Sequence, residues 1–144
     1  MSMDKKTALE VVKKNGLTLK SIGRLQKIKK FKKDKEVVLE AVKQNAYALQ
    51  YADKSLKKDR KFILKAVKHG AALQCVNKSF KKDKEIVLEA VKQEGLELAY
   101  ADKSFRKDKK IALEAVKNNA DAFEWIDESL EKDADILKVV NKKK

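Results

Sequence analysis

Apolar and polar positions along this chain repeat a single phrase. Within residues 35–44, Val37, Val38, Leu39, Ala41 and Val42 are apolar and the others polar. At ~100° per residue these five positions cover roughly 200° of a helical wheel, an arc suited to a helix covered by neighbours on two sides. An aspartate precedes the run, and Asp is a preferred N-cap because its carboxylate accepts the orphan N–H groups of the first turn. The same frame restarts at Asp34, Asp59, Asp83, Asp108 and Asp133, a period of roughly 25 residues. The step from Asp59 to Asp83 is shorter than the others by one. A degenerate copy opens at Asp4, ahead of Asp34 by rather more than one period.

Each frame predicts two short helices. The first ends near Asn15, Asn45, Gly70, Gly95 or Asn119, residue types that tolerate a left-handed cap. A second, shorter helix follows in "AYALQYAD", "AALQCVN", "LELAYAD" and "DAFEWID". A turn such as "KSLKKD" or "KSFKKD" then leads to the next Asp, with Leu56, Phe80, Phe105 and Leu130 expected to plug the core. Helices of about ten residues are marginal alone, because nucleation is costly and few hydrogen bonds follow it. Stacking unit on unit removes that difficulty, so the expected fold is all-α, a short α-solenoid of tandem two-helix repeats. The column Ala41, Ala66, Ala90 and Ala115 would let neighbouring helices approach closely.

The phrase "DKEVVLEAVKQ" at residues 34–44 returns as "DKEIVLEAVKQ" at residues 83–93, two frames later. One cause is charge alternation. Glu36 and Glu40 are followed by Lys61 and Lys65, and then by Glu85 and Glu89, so stacked first helices would face each other with opposite signs. The other is a structural unit two frames long, roughly 49 residues, and the pattern does not choose between them. The signature D-x-x-[VIF]-[VIA]-L-x-A-V-K, followed by A-L-Q-Y-A and a turn into the next Asp, resembles the helical repeat family called domain of unknown function forty-one-sixteen. The resemblance spans about residues 34–140. It implies helical repeats and supplies no activity and no site residues. Residues 1–33 read as a degenerate capping unit and residues 141–144 as a basic tail.

Composition sharpens this picture in one respect. Of the 144 residues 40% are charged, with no proline and a formal net charge of +14. Residues 1–82 hold 23 basic and 7 acidic side chains, against 13 and 15 in residues 83–144. The excess is therefore confined to the first part. It is almost all lysine, with arginine only at Arg24, Arg60 and Arg106. Lysine is a hydrated point charge, whereas specific phosphate and base recognition favours the planar arginine fork. No apolar stretch approaches the ~18–20 residues of a membrane span. The opening MSMDKK leads into no apolar run, so no signal peptide is expected. The single Cys75 suits a reducing cytoplasm.

Catalytic chemistry finds little to stand on. His69 and Cys75 are each alone of their kind and cannot assemble a four-ligand zinc site. There is no phosphate-binding glycine loop, no nucleophile elbow and no zincin motif. The repeated aspartates read as caps and need no further role. Two periodic features are candidate contacts. Tyr51, Tyr100 and Trp125 share a column with Cys75 on the second helices. Basic pairs precede the repeat aspartates, namely Lys32 and Lys33, Lys57 and Lys58, Lys81 and Lys82, and Arg106 and Lys107. Lys29 and Lys30 join them from "LKSIGRLQKIKKFKK" at residues 19–33, a basic amphipathic stretch that reads as a capping unit or a contact surface. The expectation is a cytoplasmic, non-enzymatic scaffold or adaptor that binds another protein, with no cofactor. The alternative is a nucleic-acid or ribonucleoprotein-binding module using residues 1–82. No oligomeric state follows from the pattern.

Overall fold

The computed structural model describes residues 3–22 and 26–142, with side chains left undescribed at residues 21–29. Among the described residues there are eight α-helices, eight 3-10 segments and no strand. The chain divides into two compact units, residues 1–77 and 78–144. The first holds α1 (Lys5–Lys14), α2 (Thr18–Ile22), α3 (Lys35–Gln44), α4 (Lys54–Lys57) and α5 (Arg60–Lys68). The second holds α6 (Lys84–Gln93), α7 (Lys109–Asn118) and α8 (Ala134–Lys142).

Every repeat aspartate does what its chemistry favours. Asp34 accepts from the backbone N–H groups of Glu36 and Val37 at 3.0 and 3.2 Å. Asp83, Asp108 and Asp133 repeat this pair of bonds on α6, α7 and α8, while Asp4 and Asp59 each make one such bond, to Thr7 and Phe62. Behind the caps the apolar arcs are buried: Val37, Val38, Ile63, Ile86, Val87, Ile111 and Ala112 are all fully covered. Successive first helices pack directly on one another, α1 on α3 and α3 on α5 in one unit, α6 on α7 and α7 on α8 in the other. The structural step is therefore a single frame. The doubled unit, with alternate helices on opposite sides, is not what these helices adopt.

The second element of a repeat is mostly a 3-10 segment: Ala48–Tyr51, Leu73–Cys75, Gly95–Tyr100 and Ala120–Trp125. Few residues separate the end of a first helix from the aspartate of the following turn. A 3-10 segment advances about 2.0 Å per residue against about 1.5 Å for an α-helix, so it spans more ground with fewer residues. Its anchor is a leucine that reaches the core, Leu19 in α2, then Leu49, Leu73 and Leu98, each fully buried.

Two expectations need correction. Asn15, Asn45 and Asn119 do not close their helices in the left-handed region; their φ values are −156°, −152° and −146°, in extended backbone. Each instead turns its side chain forward, accepting from the N–H two residues on (Leu17, Tyr47 and Asp121) and so starting the next segment. At the α6 end Glu94, not Gly95, is the capping residue, and its carboxylate takes the same role toward Leu96. Only Gly70, at φ 98°, is left-handed among the described residues. The plug positions also differ: Leu56 is buried, but Phe80, Phe105 and Leu130 are only half-covered.

The alanine column is a close contact. Ala41, Ala66, Ala90 and Ala115 are all at most 1% exposed. A Cβ placed on Gly16 would lie 2.1 Å from the carbonyl oxygen of Ala41, and one on Gly95 would lie 2.3 Å from that of Ala115. The start of each of these second segments thus rests on the backbone of the next first helix, a distance only glycine permits.

Candidate binding surface

Two ladders join neighbouring repeats, and both determine which side chains remain for outside contacts. The lysine that follows a capping aspartate reaches the capping aspartate of the next repeat. Lys5 meets Asp34 at 3.1 Å, Lys35 meets Asp59 at 3.1 Å, Lys84 meets Asp108 at 2.6 Å and Lys109 meets Asp133 at 3.0 Å. Lys5 and Lys109 also reach Glu36 and Asp135, both at 2.7 Å. Three of these carboxylates are held below the ordinary aspartate range. For Asp59 the cause is first the Phe62 N–H and then Lys35, and for Asp133 it is first Lys109. At Asp108 burial alone would raise the value, and Lys84 together with the helix N–H groups outweighs it. Four of the ion pairs between first helices thus run through the caps, and two more reach the first turn behind them. Of the alternating charges, Glu36, Glu40 and Lys65 line one shallow groove between α3 and α5.

The second ladder is backbone. The N–H of Asp53 donates to the carbonyl of Lys32 at 2.9 Å, Asp102 to Lys81 at 3.0 Å and Asp127 to Arg106 at 2.9 Å. Asn77 makes the equivalent link with its side-chain amide, to the carbonyl of Lys57. Turn therefore sits on turn at the edge where the basic pairs lie.

Within each basic pair the two residues differ. Lys32, Lys57, Lys81 and Arg106 are half-buried, and Lys33, Lys58, Lys82 and Lys107 are exposed. Lys57 folds back so that its ammonium donates to the carbonyl of Gln50, and Arg106 sends Nη2 to the carbonyl of Ala99 at 3.1 Å. Both bonds run from a basic residue back to the preceding second segment, so they are one device used twice. Burial lowers the Lys57 pKa from its ordinary value, and the like charges of Lys32 and Lys54 add to that. Of the eight lysines singled out from the sequence, Lys57 is thus committed internally. Lys30 and Lys33 line the cleft described below. The Lys29 side chain lies outside the described ones.

The aromatic column is not core. Tyr100 is 44% and Trp125 36% exposed, while Tyr51 is half-buried with the Lys20 ammonium 5.9 Å from its ring centre. The Arg106 guanidinium stands 5.3 Å from the centre of the Trp125 ring. Tyr47, at 47%, is a further exposed ring, and nothing in its place within the repeat had marked it as a contact.

His69 is exposed at the end of α5, with its backbone N–H bonded to that helix. Cys75 Sγ lies 3.7 Å from the Tyr47 carbonyl. Among the described residues no group of three His, Cys, Asp or Glu side chains is placed to hold a metal ion, and no helix is long and apolar enough to cross a membrane.

Comparison with known proteins adds one finding. The model of the family described as Domain of unknown function (DUF4116) matches residues 4–57, 59–106 and 83–131. Each match covers two repeats, and the last two are offset by one frame, so the family model fits the chain in both registers. The first begins at Asp4, which brings the degenerate copy inside the family's reach. Neither the curated proteins nor the solved structures contain a match.

Proposed function

The chain belongs to this family, whose description carries no activity, and we propose from the geometry that it is a non-enzymatic helical-repeat scaffold that binds another protein. The exposed rings support this reading most directly. Apart from Leu17, at 39%, the large hydrophobic side chains left exposed among the described residues are the rings of Tyr47, Tyr100 and Trp125, at 36% to 47%. Tyrosine and tryptophan are among the residues most enriched at the energetic centres of protein interfaces. The two inter-repeat ladders hold the segments that carry these rings, so little ordering entropy remains to be lost on binding. The reading carries with it a cytoplasmic setting, where Cys75 stays reduced.

The test is a pull-down from native lysate with and without nuclease, using the wild type and a Tyr100→Ala, Trp125→Ala variant of unchanged circular dichroism. Retention after nuclease and loss in the variant is the expected result. Capture that disappears with nuclease would replace this reading with the nucleic-acid one.

A further inference from the structure

Three turn-edge grooves have the same construction but not the same charge. In each, a basic turn forms one wall, and the end of the next second segment with its aspartate forms the other. In residues 1–77 the walls bring Lys30, Lys32 and Lys33 opposite Lys54 and Lys57, with Asp53 the only carboxylate among the lining residues, around an open cleft of about 790 Å3. In residues 78–144 one groove sets Lys78, Lys81 and Lys103 beside Asp102. The other sets Lys103, Arg106 and Lys107 beside both Asp127 and Glu128. Glu128 stands where Lys54 and Lys103 stand in the other two. The surplus of cations over carboxylates thus falls from four to two to one.

In the first groove the one carboxylate is already engaged. Asp53 accepts from the Ser55 N–H at 2.9 Å, which with the Ser55 side chain and then Lys33 and Lys32 holds it ionised. Lys57 is turned inward. What remains is a set of exposed lysines, Lys33, Lys54 and Lys30, the last with its ammonium 5.1 Å from the centre of the Phe31 ring, and the half-covered Lys32. We propose that this groove binds a short acidic segment of a partner protein, its carboxylates set against Lys30, Lys33 and Lys54.

Two observations favour carboxylates over a nucleic-acid strand. The aromatic ring in the groove, Tyr51, is half-buried and has Lys20 over its face, so it offers no open platform for a base. Among the described lining residues the cations are all lysine, without the planar fork that grips phosphate at two points.

This inference rests on the scaffold reading and adds the partner's chemistry. The full chain would be titrated with labelled hexaglutamate peptide and with single-stranded oligothymidylate of equal charge. The variants are Lys30→Gln, Lys33→Gln, Lys54→Gln combined, and a control of equal charge loss, Lys110→Gln, Lys132→Gln, Lys138→Gln. The peptide should bind the wild type and the control alike, and the groove variant about tenfold or more weakly at ~0.1 M salt. Tighter binding of the oligonucleotide than of the peptide would overturn the proposal in favour of nucleic acid. So would equal losses in both variants, since net charge alone would then explain binding. Absence of peptide binding, with nuclease-resistant and Trp125-dependent capture intact, would sink the acidic groove and leave the scaffold standing.

Discussion

Residues 1–77 carry 20 basic and 7 acidic side chains; residues 78–144 carry 16 and 15. Despite that difference the two units are wired alike. Both cap their first helices with aspartate, both tie that aspartate to the lysine of the preceding repeat, and both bond turn to turn through the same N–H. Both also rest a glycine on the carbonyl of an alanine in the next helix. What recurs is thus the set of contacts made between repeats, and what changes is the decoration of the outer edge. A position that holds its residue type in both units serves the stack. A position where Lys54 becomes Glu128 is open to serve recognition.

The comparison is most easily broken at the glycines. Gly95→Ala should destabilise by more than the ~1–3 kcal/mol of ordinary overpacking, because the new Cβ meets backbone and not a movable side chain. Gly16→Ala should cost a similar amount, read by urea unfolding. A neutral Gly16→Ala would separate the first repeat from the others. Next in size is Asp108. Its replacement by Ala removes the cap of α7 and should cost about 0.5–2 kcal/mol. Asp108→Asn keeps the cap and loses only the charge facing Lys84, so it should cost less, and salt should shrink the loss. If the two substitutions are equal at every salt concentration, the ladder charge contributes nothing.

Acid titration probes both units together. Asp4, Asp53 and Asp59 in one, and Asp102, Asp108, Asp127 and Asp133 in the other, are all held below the ordinary value. A depressed folded-state pKa contributes stability that is present above the unfolded value, about 3.9, and lost as pH falls through the folded one. Thermal stability should therefore drop below about pH 4, and the fall should involve both units despite their different net charge. Stability that stays flat under stronger acid would contradict the shared ladder. The smallest effect belongs to Lys61→Glu, Lys65→Glu, which sets α5 in the same sign as Glu36 and Glu40 of α3. A modest loss at low salt, relieved at high salt, is expected from differential scanning calorimetry.

Capping is local chemistry, so the aspartate frame and the helices behind it were legible letter by letter. The alanine column was legible for a related reason, since small residues at a fixed register announce close packing. The lysine ladder was visible only as a recurring Asp-Lys pair at 4–5, 34–35, 83–84 and 108–109. Its meaning needed the knowledge that first helices lie side by side. Asparagine misled because one residue type suits two opposite jobs, a left-handed ending and a side-chain start, and only the backbone angle at Asn45 or Asn119 separates them. The binding edge was legible as a stripe of lysines but not in its inner division. That Lys57 folds onto Gln50 depends on the turn geometry, which two adjacent identical letters, Lys57 and Lys58, cannot encode.

Gly70 carries a consequence for how such a chain tolerates change. Leu49 follows Asp34, and Leu98 follows Asp83, at one and the same spacing from capping aspartate to core leucine. Leu73 follows Asp59 one position sooner. The missing residue falls at the junction after α5, where Gly70 turns at φ 98° and the Ala72 N–H still finds the carbonyl of Ala46 at 3.0 Å. A left-handed glycine thus accommodates a repeat one residue shorter than its neighbours. The connection behaves as an expansion joint: lengths within a repeat can drift there, provided the residue at the joint has no side chain to oppose the turn.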